Sequence, residues 1–297
     1  MSHGPGGAGR FRSTRRRARW SGALGTAALA ALAIGWACAE APETGNEETP
    51  LASLGAAADS GWVPIFNGRD LTGWTPKIRY SVVGLDSRDT FRVVDGLLTG
   101  AYDDYEAFDG RFAHLFYERP LSSYDLRVEY RIHGEQLPDG ESWARANSGV
   151  MFHAQSPESM GVDQDFPISL EAQFLRGLGE GARPTGNLCT PGTDVEFEGT
   201  RTEAHCIEST SPTYEGDDWV TLELVVRGDE RIAHIVEGDT VLAYARPRIG
   251  GGVVNDFDPA VKIDGTPLTE GYIALQSESH PVQFRRVWLR EVRPPGS

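Results

Sequence analysis

Apolar and polar residues alternate with a period of two through most of the chain beyond residue 61. The run PISLEAQFLRG, residues 167–177, sets Ile168, Leu170, Ala172 and Phe174 on one face and Ser169, Glu171 and Gln173 on the other. That is the pattern of a strand with one buried face. FRVVDGLLTG, YDLRVEYRIHG, SGVMFHAQ, GYIALQSES and VQFRRVWLREV repeat it, and residues 219–247 read as three consecutive antiparallel strands. Asp-Gly in VVDGLL and Gly-Asp in VEGDTV supply hairpin turns. No run after residue 61 sustains a helical period, and no segment recurs at a fixed spacing. About ten to fourteen short strands with no helical half predict an all-β domain, a two-sheet sandwich or jelly roll. Two connections are long, 102–111 and 184–216. Loops of that length in a compact domain carry function or are held by cross-links.

The N-terminus breaks the pattern. The first twenty residues hold six arginines and no acid, and SGALGTAALAALAIGWACA follows as a short apolar, alanine-rich run ending in small residues. Basic, then apolar, then small is the order of an export signal, shorter and richer in glycine than a membrane span. Arg15-Arg16 leaves a twin-arginine route open. Cys38 follows Ala37 at the end of the apolar run, as in a lipoprotein signal, so cleavage after Ala39 and lipid attachment at Cys38 both stay open. The acidic, small, proline-containing stretch at 40–60 reads as a disordered tether. The expected organisation is a signal at 1–39, a linker at 40–60 and one β domain at 61–297. The expected location is the periplasm or cell envelope, with membrane contact only through a lipid anchor.

Charge narrows the partners. The formal net charge is −15 over 297 residues, and the basic residues crowd into the leader. So acidic a body repels nucleic acid and anionic lipid. Cysteine usage agrees with export. Once Cys38 is set aside, Cys189 and Cys206 remain, and in an oxidising compartment they most simply form one disulfide. A metal site using His205 is the alternative, but no second ligand cluster accompanies it.

The familiar catalytic signatures are missing: no G-x-S-x-G, H-E-x-x-H or P-loop, and no E-x-D-x-x-E strand of the kind many jelly-roll glycanases carry. Candidate chemistry comes instead from the polar faces of the strands. Alternation groups Arg127, Glu129 and Arg131; Gly149, Met151 and His153; Glu171 and Gln173; and Gln276 with Glu278. A concave face lined by such groups suits a sugar, which binds through planar and bidentate hydrogen bonds with an aromatic ring against its apolar face. Each group also has a plainer reading. A lone Glu is commonly a solvated strand residue, and Arg127–Glu129–Arg131 reads as a cross-strand charge ladder. Trp143 is the best exposed stacking ring, whereas Trp62, Trp74, Trp219 and Trp288 read as core anchors.

Several segments, taken in order, resemble the 3-keto-disaccharide hydrolase family. GWVPIFNGRDLTGW resembles its opening W-x-x-L-F-N-G-x-D-L-x-G-W, and FRVVDGLLTG its W-x-V-x-D-G-x-L strand pair. NSGVMFH stands at N-S-G-I-x-F-R, ISLEAQFL at G-Y-E-x-Q-I, and PTGNL at T-G-x-L-Y. YDLRVEYRI and GYIALQSESHPVQFRRVWLREV resemble a middle and the closing strand pattern. The resemblance spans nearly all of 61–293.

It implies a concanavalin A-like jelly roll, export, and cleavage of glycosides whose C3 hydroxyl is a ketone, by base-catalysed elimination, hydration or both. A non-catalytic carbohydrate-binding module is the alternative. Carried over residue by residue, it sets Asn147, Glu171, Gln173 and Gln276 on the concave face and matches Arg131 to a strand-end Arg. The expected base is His153 or Glu171, with Arg131, Asn147, Gln173, Gln276 and Glu278 as sugar-binding groups. A divalent metal held by His153 and Glu171 stays open. His153 stands where the family usually has Arg, and Glu278 and Ser279 stand where it often has His, with His280 as the displaced equivalent.

Overall fold

The structure, a computed structural model, describes residues 61–202 and 204–292. The leader, Cys38 and the linker at 40–60 lie outside the described residues. Among the described residues no helix is long and apolar enough to cross a membrane.

In chain order the strands are β1 Val63–Pro64, β2 Trp74–Ile78, β3 Phe91–Val94, β4 Leu97–Gly100, β5 Ala113–Tyr117, β6 Ser123–Ile132, β7 Asn147–Ala154, β8 Leu170–Leu175, β9 Asn187–Cys189, β10 Thr193–Phe197, β11 Thr200–Thr202, β12 Cys206–Ile207, β13 Val220–Arg227, β14 Arg231–Val236, β15 Asp239–Ile249, β16 Tyr272–Ser277 and β17 Val282–Glu291. They make two antiparallel sheets. A ten-stranded sheet runs β11-β10-β15-β14-β13-β6-β17-β4-β3, with β1 paired to β17, and a seven-stranded sheet runs β12-β9-β8-β7-β16-β5-β2. The fold is the all-β, jelly-roll-like sandwich that the alternation predicts.

The turns follow from backbone chemistry. Asp95 and Gly96 take φ of 52° and 78° between β3 and β4, the positive pair that a two-residue I′ hairpin needs. Between β14 and β15 that pair is Glu237 and Gly238, one step before the expected Gly-Asp turn. The segment expected as a loop at 184–216 contains β9 to β12, strands of two to five residues. Runs so short carry little periodicity, which is why they read as loop.

The core lies between the sheets. Leu126, Val128, Leu222 and Leu224 from the larger sheet join Val150, Phe152, Leu170, Ala172 and Phe174 from the smaller in one buried cluster. Full burial of each large side chain contributes about 1.5–3 kcal/mol. Tyr130 and Phe174 stack across the sandwich, with ring centroids 3.9 Å apart and planes 8° apart.

The two outer faces differ, and the difference sets up the site. Along β13 buried and half-buried residues alternate strictly, and this face of the larger sheet carries ion pairs such as Arg127–Glu223 at 3.0 Å. The smaller sheet has no such solvated face. β7 is buried at all eight positions, and β8 at all but Gln173. Inter-strand segments cover it: Tyr102, Tyr105, Phe108 and Phe112 cluster with Phe166, which also packs with Phe116, Met151 and Ala274. The polar residues of these strands are therefore enclosed rather than hydrated.

Candidate functional site

Register brings the polar residues together. On the covered face of the smaller sheet, Met151 is opposite Glu171 and Gly149 opposite Gln173. Glu171 is in turn opposite Cys189, and Gln173 opposite Asn187. On the other flank, Gln276 pairs with His114, and His114 with Lys77. A cleft of about 320 Å³ opens over this face, lined by Trp143, Asn147, Phe166, Glu171, Gln173 and Glu278, together with Cys189, Cys206, His205, Pro191 and Val253. That volume is at the small end of ligand sites, which run from about 300 Å³ upward. Asp165 ties two covering segments together, accepting the Asn255 N–H at 2.8 Å and its Nδ2 at 2.6 Å.

Glu171 is 6% exposed, and its Oε1 has no hydrogen-bond partner among the described residues. Gly149 makes room for it: a Cβ there would lie 2.5 Å from Glu171 Oε1. Glu278 is buried close by, and its Oε2 accepts from Asn147 Nδ2 at 3.3 Å. Burial lifts both carboxyls well above the usual carboxylate range, and the charge of Glu171 raises Glu278 further. Two close, buried carboxyls resist joint ionisation, which favours a proton held on the pair. Gln173 Oε1 accepts from Asn187 Nδ2 at 3.0 Å. Gln276 is fully buried, and neither its amide nitrogen nor its oxygen has a partner. Leaving such groups unpaired costs about 1–3 kcal/mol each; Gln276 lies beneath the cleft and is not among its lining residues.

Glu171, Asn147, Gln173 and Glu278 thus converge on the cleft, and Gln276 lies on the same face. Two sequence expectations are corrected. His153 is carried away from Glu171 by a bulge: the pairing of β16 with β7 slips between Tyr272 and Ala274, and His153 takes φ of 46°. Its Nε2 lies 3.0 Å from the Gly228 carbonyl, on the turn between β13 and β14. A metal shared by His153 and Glu171 does not fit this arrangement. Arg131 lies on the outer face of the other sheet, where its Nε donates to Gln283 at 2.8 Å and its guanidinium covers Trp219. The charge-ladder reading holds there: Arg285 and Arg286 both bond Glu129.

His280 likewise stays out of the cleft lining; its Nδ1 accepts the Ala146 N–H at 3.3 Å, and Glu278 occupies the site instead. Trp62 and Trp219 are not anchors of the inter-sheet core, because each is flanked by two guanidiniums, Arg127 and Arg290 or Arg131 and Arg285.

Cys189 and Cys206 form the expected disulfide, joining β9 to β12. With His205 they are the three-residue group whose ligand atoms lie within 4.8 Å of one another among the described residues. The bond between the sulfurs removes the thiolates that a soft metal needs.

Sequence reasoning missed the enclosure. Phe166, Pro191, His205 and Val253 reach the cleft from irregular segments that carry no period. The Glu171–Glu278 proximity joins residues on β8 and just beyond β16, which become neighbours only because β7 lies between those strands. Its one sequence signal was that alternation sets both on polar faces, Glu171 with Gln173 and Glu278 with Gln276.

The model of the 3-keto-alpha-glucoside-1,2-lyase-like domain matches residues 61–290. No curated protein matches the chain. Among solved structures, a protein provisionally assigned as a glycosyl hydrolase in Parabacteroides distasonis ATCC 8503 superposes with a TM-score of 0.50 at 18% identity, over 80% of this chain and 97% of that one. A second protein so assigned in the same organism gives 0.44 at 15% identity, over 78% and 99%. A Bacillus subtilis protein of galectin-like fold gives 0.44 at 11%, over 78% and 96%. With the family match running from the first described residue to within two residues of the last, the chain belongs to the 3-keto-alpha-glucoside-1,2-lyase-like domain family.

Proposed function

We propose that this carbohydrate-related protein cleaves 3-keto-glycosides, with Glu171 as the base. The observation that supports this most is the buried Glu171–Glu278 pair on the floor of the cleft. A C3 ketone acidifies the C2 proton, and a carboxylate of raised basicity removes it near neutral pH. The electrons of the C2–H bond pass toward the C3 oxygen, where the unpaired Gln276 amide N–H stabilises the developing enolate. The enolate then collapses, the C1–O bond breaks, and the proton held on Glu278 goes to the leaving oxygen. The product is a C1=C2 enone. Hydration reverses the proton traffic: water adds its hydroxyl to C1 and its proton to Glu278, and Glu171 returns a proton to C2. Both carboxyls are then reset. Asn147 and Gln173 hold sugar hydroxyls.

An exported location is part of the proposal, supported by the leader pattern and by the disulfide. The test is incubation of the wild-type protein with a 3-keto-glucoside, with the unoxidised glucoside as control. Cleavage of the ketone alone, slowed at least about a hundredfold by Glu171→Gln, is the expected result. An intact ketone substrate, with and without added divalent metal, overturns the proposal. Saccharide binding without turnover is the second reading, favoured by the exposed ring of Trp143 at the cleft.

A further inference from the structure

We infer that Trp143 is the platform for the leaving-group ring of the substrate, which makes it the residue that selects disaccharides over simple alkyl glycosides. The inference rests on the cleavage proposed above and adds a subsite to it.

Trp143 sits on a single 3-10 turn, Ser142–Ala144, which ends two residues before β7. It is 51% exposed and lines the cleft, and among the described residues it is the one tryptophan so exposed. The ring is also held still. Phe112 stacks on it with centroids 5.8 Å apart and planes 11° apart, and Phe166 lies tilted at 6.3 Å. A flat indole packed against two phenyl rings at the edge of a cleft that also holds carboxyl and amide groups is the geometry that receives the apolar face of a pyranose.

The polar network fixes which part of the substrate arrives there. Asn147 Nδ2 contacts the Trp143 carbonyl at 3.5 Å and Glu278 Oε2 at 3.3 Å. One amide therefore joins the turn carrying the indole to the carboxyl that protonates the leaving oxygen. The oxidised ring must place C2 at Glu171, which is 6% exposed. The group attached at C1 then leaves past Glu278 toward the open rim, where Trp143 is. Phe112 stacks on the indole and the turn carries it, so the platform acts on binding more than on chemistry.

The test compares a 3-keto-disaccharide with methyl 3-keto-glucoside. For Trp143→Ala, KM for the disaccharide rises about tenfold with little change in kcat, and KM for the methyl glycoside is unchanged. Trp143→Phe recovers most of the loss. Equal losses on both substrates, or no change on either, overturn the platform. If the wild-type protein cleaves neither substrate, calorimetric titration with the same two compounds decides separately. Disaccharide binding weakened by Trp143→Ala while methyl glycoside binding is kept supports the platform without the chemistry. Equal binding by wild type and variant overturns it.

Discussion

Gly149 and Glu171 are diagonal neighbours on adjacent strands, and the carboxyl of Glu171 fills the space that a side chain at 149 would need. A Cβ added at Gly149 would lie 2.5 Å from Oε1 and 2.9 Å from Cγ of Glu171. Gly149→Ala therefore forces the carboxyl from its seat. The expected result is a loss of stability of about 1–3 kcal/mol and a fall in turnover of at least about tenfold, or ~1.4 kcal/mol in barrier. Thermal unfolding and initial rates check both. Unchanged turnover in a folded variant contradicts the placement of Glu171.

Glu171 also sets a trade between stability and activity. Burial raises its folded-state pKa above the ordinary glutamate value of about 4.3. The folded protein then keeps a proton that the unfolded chain has released. The stability linked to this group is fully present below about pH 4 and is lost as pH rises through the folded pKa. Glu171→Gln abolishes that loss. The variant gains on wild type by roughly 1–3 kcal/mol between pH 5 and 8, while turnover falls by about 10²–10⁴. Denaturant titrations across that range check the sign. Parallel pH curves for the two proteins contradict it.

The two residues placed outside the cleft behave differently from those within it. Arg131→Ala and His153→Ala leave kcat/KM within about threefold of wild type, because one guanidinium packs on Trp219 and one imidazole meets the Gly228 carbonyl. Gln173→Ala raises KM. Initial-rate kinetics on the three folded variants separate these outcomes. A loss beyond tenfold in either of the first two contradicts the site boundary drawn here.

The disulfide supports one border of the same cleft. Cys189 lies opposite both Glu171 and Cys206, 17 residues apart from the latter in sequence. Closing a loop of that order is worth about 3 kcal/mol. Replacing both cysteines by serine lowers stability by about 2–4 kcal/mol and raises KM as the wall carrying His205 loosens. Unfolding curves and kinetics on the double variant read the two effects. Unchanged KM with reduced stability confines the bridge to a structural role.

Much of the fold was legible because period-two patterning marks strands wherever one face enters the core, as at Leu170, Ala172 and Phe174. The strands β13 to β15 follow the expected three-strand run. The polar face of β8 was legible as a face, yet not as a floor, because Phe166 and Trp143 cover it from segments without periodicity. His153 was misplaced for a sharper reason. Alternation assumes an unbroken register, and one extra residue in β7 reverses the side on which the following positions fall. Arg131 was misplaced because alternation gives a face but not which of two sheets bears it.

The central claim is that Glu171 breaks a C–H bond at C2 before the glycosidic bond at C1 parts. Single-turnover cleavage of a 3-keto-disaccharide carrying deuterium at C2, compared with the protio substrate, tests it most directly. Slower cleavage of the deuterated substrate by the wild-type protein is expected, with cleavage of both substrates slowed at least about a hundredfold by Glu171→Gln. Equal single-turnover rates for the two substrates with no loss of the C2 deuterium to water, or full activity without Glu171, would contradict it.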